Sequence, residues 1–202
     1  MPQTFEEYVA SSPVRPAGRR FVLQPLDGKI PFGETLREYA AIFFGVETRL
    51  AAPLPMPLDT GGDSTLLLHH LADRIPDDAF AVLGVTTVDL HARRRAFVFG
   101  ESSLKDRAGI CSFRRFGTPG SALFLKRALR LVAHEGSHLR SLPHCPFPPC
   151  VLQPARSLAE FDRHALQPCP DDLKKLEWNA GFDRWDRRER LRTFMKGIKT
   201  TV

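Results

Sequence analysis

The stretch Ala79–Leu90, AFAVLGVTTVDL, sets the strongest limit on the fold. Its richness in Val and Leu marks a buried central strand. Such a strand is covered on both faces, as in a parallel sheet flanked by helices. Four further segments read as strands: Phe21–Pro25, Val46–Ala51, Ala96–Gly100 and Ala108–Phe116. Helices are expected over Glu34–Phe44, where Leu36, Ala40 and Phe43 or Phe44 recur at helical spacing, and over Ser64–Ile75, with Ser64 near its cap. A long helix spans Ser121–Leu139. Beyond it the strands run out. A proline-rich, cysteine-bearing segment reaches Pro154, a short helix lies near Ser157–Leu166, and a last helix covers Asp171–Ile198. This order predicts an α/β (α+β) fold, a twisted mixed sheet with packed helices and a helical C-terminal third.

Size and composition narrow the class. The 202 residues, 43% of them hydrophobic, suffice for one well-buried domain. Residues 1–20 read as a polar arm with one helical turn starting at Thr4, where Thr4 and Glu7 have capping-box spacing, the rest of the arm crossing the surface loosely. Residues 21–202 read as a single domain, its upper part 21–140 and its lower part 141–202. The prolines and glycines between Pro53 and Gly62 form a loop within it. The longest apolar run, Ala40–Val46, is too short for a membrane span. MPQTFEEYVASSP has no basic or apolar leader pattern. Four cysteines without such a pattern suit reduced thiols or a metal site in a cytoplasmic protein. The net charge of +6 comes from dispersed arginines: Arg19–Arg20, Arg93–Arg95, Arg114–Arg115 and Arg187–Arg188. These read as solvated surface charge.

The chemistry concentrates in His134–Cys145, HEGSHLRSLPHC. His134 and His138 stand four apart late in a helix, so both imidazoles share one face. That spacing lets both nitrogens reach one zinc ion at about 2.0–2.1 Å. Glu135 is rotated about 100° from His134, which puts it beside the ion as a proton acceptor for activated water. A continuing helix would carry His144 about 240° round and about 9 Å along, out of reach. Pro143 disfavours helix at Leu142 and lets the chain turn back to offer His144 as a third ligand. Three histidines leave the fourth position open, the pattern of a catalytic zinc.

The run H-E-x-x-H-x-x-S-x-x-H-C-x4-C-x-L resembles the archaemetzincins, whose pattern is HExxHxxGxxHC, four residues, C, one residue, M, then a spacer and CxxC. LGVTTVDLHARRRAFVFG (Leu83–Gly100) and CSFRRFG (Cys111–Gly117) resemble that family's strand region, and the likeness covers about residues 79–175. The resemblance implies a compact metzincin-like domain whose zinc helix ends in a turn to the third histidine. It implies His134, His138 and His144 as catalytic zinc ligands, Glu135 as general base and acid, and a second, structural zinc. Cys145, Cys150 and Cys169 match three of that site's four cysteines, and Asp172 stands at the fourth. A carboxylate can ligate zinc. Ser141 replaces a family glycine, which costs on the order of 1–2 kcal/mol if the backbone there is left-handed. Leu152 replaces the methionine beneath the metal, where an apolar floor of similar volume survives.

These residues point to zinc-dependent hydrolysis of peptide bonds by a monomer, with an extended peptide or protein substrate pairing along a strand edge near Ala96–Gly100. Neither tyrosine, Tyr8 or Tyr39, is near the motif in sequence. Two alternatives stand beside this reading. One is a zinc-binding domain without efficient peptidase activity, suggested by Ser141 and Leu152. The other is a basic nucleic-acid-binding module using Arg93–Arg95 and the arginine-rich tail. Cys111 reads as a small core residue, and His69, His70 and His91 as surface. His164 is spaced as a spare ligand for the cysteine site. Trp178, Trp185, Leu191, Phe194, Met195 and Ile198 form an apolar stripe that docks the last helix on the core.

Overall fold

A computed structural model describes residues 2–13, 15–57, 59–93 and 95–201, residues 199–201 by their backbone alone. Arg94, in the middle of the basic group Arg93–Arg95, lies outside the described residues. In chain order the first elements are α1 (Phe5–Ala10), β1 (Arg20–Pro25), α2 (Gly33–Phe44), β2 (Thr48–Leu50) and α3 (Ser64–Ala72). Then come β3 (Ala79–Thr86), β4 (Leu90–Ala92), β5 (Arg95–Val98), β6 (Gly100–Ser103) and β7 (Ala108–Ser112). Four helices complete the chain: α4 (Ala122–His138), α5 (Leu158–Arg163), α6 (Pro170–Ala180) and α7 (Arg184–Thr201).

The main sheet has the order β2-β1-β3-β7-β6. The β2, β1, β3 and β7 pairings are parallel, and β6 closes one edge antiparallel to β7. All eight residues of β3 are buried, in the centre of the sheet, as its apolar run requires. Alternate residues feed two cores. Phe21, Leu23, Ala81, Leu83, Val85 and Cys111 pack with α2 and α4, while Val22, Val82, Ala108 and Ile110 pack with Leu67 and Leu71 of α3. The sheet is thus covered on both faces, and α4, the histidine-bearing helix, lies against one of them.

Several boundaries differ from the sequence expectation. The strand beginning at Ala79 ends at Thr86. Leu90–Ala92 joins Arg95–Val98 in a separate two-stranded ribbon. Ala96–Val98 therefore belongs to that ribbon, and the main sheet ends on this side in edge strand β6, which shares only Gly100 with the expected edge. Helix α3 starts at Ser64 as expected, next to its cap Asp63, whose carboxylate accepts from the Thr65 and Leu66 amides, but it ends at Ala72. The expected last helix is two helices. Gly181 ends α6 in the left-handed region (φ 75°), which glycine adopts at little cost. Trp185 is then left outside the apolar stripe, 66% exposed, while Leu191 and Phe194 are buried. Arg187 is not solvated. It is buried and donates to the Phe43 carbonyl.

The N-terminal arm is not loose. The capping box at Thr4 forms as expected. But Tyr8 is wholly buried, donating to the Arg140 carbonyl at 2.7 Å and accepting from Asn179 Nδ2 at 2.9 Å. Helix α1 thereby fastens α6 to the end of α4.

Candidate metal centres

Helix α4 starts at Ser121, whose hydroxyl accepts from the Phe124 amide, and its last turn carries His134, Glu135 and His138. Gly136 lets this turn approach α2. A Cβ there would lie 2.4 Å from Cζ of Phe44. The helix stops at Leu139, and Ser141 takes φ 67°. This left-handed residue turns the chain back. The Leu142 carbonyl then lies 2.6 Å from His138 Nδ1, and His144 faces the helix. A serine therefore sits where glycine would be unstrained.

His134, His138 and His144 offer ligand nitrogens within 4.8 Å of one another. Ring centroids lie 4.7 Å apart for His134–His138 and His138–His144, and 5.3 Å for His134–His144. His134 is buried and His144 is exposed, so the cluster opens to solvent on one side. His134 Nδ1 lies 2.8 Å from the Val151 carbonyl, and His138 Nδ1 has its own carbonyl partner at Leu142. A carbonyl only accepts, so both Nδ1 atoms carry protons. Burial holds His134 well below the usual imidazole range and His138 down at about 4, and burial also lowers His144. At neutral pH both Nε2 atoms of the helical pair are consequently bare lone pairs, yet they stand 3.1 Å apart. Two acceptors at that separation lack a proton to share, and a cation between them resolves the repulsion. The residues present fit a divalent metal. The two carbonyls also set the tautomer a metal ligand needs.

Glu135 is buried beside this cluster, and burial raises its carboxyl to about 8, opposed by the hydroxyl of Ser102. Ser102 Oγ lies 2.7 Å from Glu135 Oε2, and a Cβ on Gly100 would meet Oε1 at 2.6 Å. Edge strand β6 thus forms the wall behind the carboxyl. Sequence reasoning placed Gly100 in a strand edge but missed that it and Ser102, over 30 residues upstream, wall in Glu135. Leu152 is fully buried in the core, and its carbonyl accepts from the Cys145 amide at 3.0 Å.

One residue past His144 a second group begins. Cys145, Cys150, Cys169 and Asp172 also bring one ligand atom each within 4.8 Å of the others. Cys145 and Cys169 Sγ are 3.8 Å apart, and Asp172 Oδ2 lies 3.4 and 3.3 Å from the sulfurs of Cys150 and Cys169. The backbone amides of Leu152 and Cys169 point at Cys150 Sγ, 3.5 and 3.3 Å away, as suits a thiolate. Burial raises the Cys145 thiol to about 11 and the Cys150 thiol further. Three thiols and a carboxyl converging in a buried place fit a thiophilic cation, which offsets that cost. His164 is not in this group. Its ring packs on Phe161, with centroids 6.1 Å apart. Cys111 is buried, 3.9 Å from the Leu131 carbonyl, and belongs to the core. Tyr8 is engaged as described, and Tyr39 donates to the Leu166 carbonyl, so neither is offered to the histidine cluster.

The fold and pattern have known counterparts. The crystal structure of archaemetzincin from Methanopyrus kandleri superposes with a TM-score of 0.71 at 28% identity, over 80% of this chain and 94% of that one. Archaemetzincin from Archaeoglobus fulgidus gives 0.65 at 26% identity, over 77% and 99%. Archaemetzincin-2 from Pongo abelii is 29% identical over 198 residues, covering 75% of this chain. The chain spans 54% of that relative's length. The family pattern of peptidase family M54 matches residues 64–178. That span is more than half of the chain and includes both metal-ligand groups, and the chain therefore belongs to peptidase family M54, the archaemetzincins.

Proposed function

We propose that this chain is a zinc-dependent peptidase. The observation that carries the reading is the pair of bare Nε2 atoms 3.1 Å apart, with His144 beside them and a carboxyl buried next to them. His134, His138 and His144 would hold the catalytic ion. When bound, zinc supplies Lewis acidity toward a carbonyl and makes water a usable nucleophile near neutral pH.

Glu135 does the proton work. Its carboxyl, held at about 8 by burial, is drawn toward the ionised form by a cation in the adjacent cluster. As carboxylate it accepts the proton of the attacking water, and as acid it returns that proton to the departing amine. Ser102 and Gly100 fix its position. Edge strand β6 offers an extended peptide a row of backbone partners beside Glu135, so orientation does not depend on substrate sequence. The cysteine group would hold a second, structural zinc. By tying Cys145 it steadies the neighbouring His144.

A cytoplasmic monomer belongs to the same proposal; none of the four cysteines is paired in a disulfide, which suits a reducing compartment. Among the described residues no helix is long and apolar enough to cross a membrane. The alternative of a zinc domain without efficient peptidase activity draws on the left-handed Ser141 in the turn to His144.

The test is Glu135→Ala. Peptide turnover should fall by about 10²–10⁴-fold while zinc bound per chain is unchanged. Equal turnover in the variant removes Glu135 as the base. No turnover in either protein, with zinc bound, selects the idle domain.

A further inference from the structure

An aspartate in place of a fourth cysteine poses a problem that the surrounding residues answer. A carboxylate has two oxygens, and its short side chain leaves open which of them faces the sulfurs. Asp172 is buried at the first turn of α6. Its Oδ2 faces Cys150 and Cys169, while its Oδ1 lies 3.0 Å from Lys175 Nζ, one helical turn on. The Lys175 side chain is only 3% exposed, and its ammonium also donates to the Gln3 carbonyl at 2.7 Å. A lysine so far out of water is rare without a partner, and here both its partners are fixed.

We propose that Lys175 is the positioning residue that makes Asp172 serve as the fourth ligand of the cysteine site. The inference rests on the second-zinc reading above. Lys175 takes Oδ1, so one oxygen only remains for the metal, which keeps the set at four single-atom donors. Three thiolates and a carboxylate around a divalent ion carry excess negative charge. Buried, that excess is costly, and the ammonium cancels part of it. The Gln3 carbonyl holds the ammonium from the far side, so the N-terminal arm contributes to the site without touching the metal. A cysteine at position 172 would leave the same excess charge but would need no orientation, since its one sulfur has no second atom to restrain.

The experiment measures release of zinc from the purified full chain to a chromogenic chelator, with cobalt(II)-thiolate absorption reporting on the cysteine site alone. In Lys175→Met, release from this site should be about 10–100-fold faster, with the histidine-site zinc unchanged. In the Asp172→Cys background the same Lys175→Met change removes charge but no orientation, so its effect on release should be at least about threefold smaller than with Asp172 in place. This rescue separates positioning from structure. A lysine that only tethers the arm through Gln3 would speed release equally in both backgrounds, and that result overturns the proposal. Wild-type release rates in Lys175→Met also overturn it while leaving the second site intact. Absence of cobalt-thiolate absorption in the unmodified chain removes the site and the proposal together. If Lys175→Met does not fold, Lys175→Gln is read against the same outcomes.

Discussion

The two ligand groups meet at one peptide bond, between His144 and Cys145, yet they are built on opposite plans. The histidine group has three ring nitrogens, two from one helical face and one from an exposed loop, and an open side. The cysteine group has four donors drawn from a loop and the start of α6, with a buried lysine behind them. The first has a coordination position to spare for another molecule, and the second fills all four with protein donors. A site that must admit substrate trades ligand number for access, whereas a site that must hold a loop fills every position.

Chelation puts that contrast to the largest test. A strong chelator should remove the histidine-site zinc first and abolish peptide turnover, while the cysteine-site zinc leaves more slowly. Metal content and turnover followed together through the incubation check the order. Loss of cysteine-site zinc ahead of activity would mean that the carboxylate-bearing site is the weaker of the two. Loss of both in one step would mean that they stand or fall as a unit through His144–Cys145.

A change behind the open site tests whether its geometry is as exacting as its ligands. Gly100→Ala places a methyl group where the Glu135 carboxyl now lies, since Oε1, Cδ and Cγ of Glu135 fall 2.6–2.8 Å from the new Cβ. The carboxyl has to move, because β6 is held to β7 by the Gly100–Cys111 pairing. Turnover should drop by roughly 10²-fold, as for a catalytic group misplaced by about 1 Å. Zinc content should be unchanged, because the atoms nearest the new methyl group all belong to Glu135 and none to a histidine. Lost zinc in this variant would show that β6 supports the metal site as well as the base.

What was legible in the sequence follows the same division. His134 and His138 could be read directly, because a helix converts a spacing of four into a shared face. His144 could be placed because Pro143 rules out a helix running through it, although the helix already ends at Leu139 and the chain turns at Ser141. The central strand at Ala79 and the long helix at Ser121 were legible from apolar content and pattern. Cys169 and Asp172 lie 19 and 22 residues beyond Cys150, so only the family likeness connected them to it. The roles of Gly100, Ser102, Lys175 and Gln3 were not legible at all. These residues act through pairing and packing between distant segments, which leave no local period. One arginine misled for a related reason. Arg187, read as solvated charge, is buried with its guanidinium over the ring of Phe43. Aromatic faces can hold a guanidinium that charge counting assigns to the surface.

The smallest expected effect isolates the proton rather than the metal. Ser102 donates to Glu135 Oε2, and that bond favours the carboxylate against the burial that disfavours it. Ser102→Ala removes the bond without adding bulk, so the Glu135 pKa rises. A base must be ionised to act, and a higher pKa leaves less of it ionised on the acidic side. The acid limb of the kcat/KM profile should therefore move to higher pH, with the plateau reduced by less than about tenfold, in keeping with one lost charge-assisted hydrogen bond. Zinc content at both sites should stay the same. A profile that shifts to lower pH, or does not shift while the plateau falls, would show that the acid limb belongs to a group other than Glu135. In that case the open site differs from the closed one in its ligands alone, and the β6 wall has no part in the chemistry.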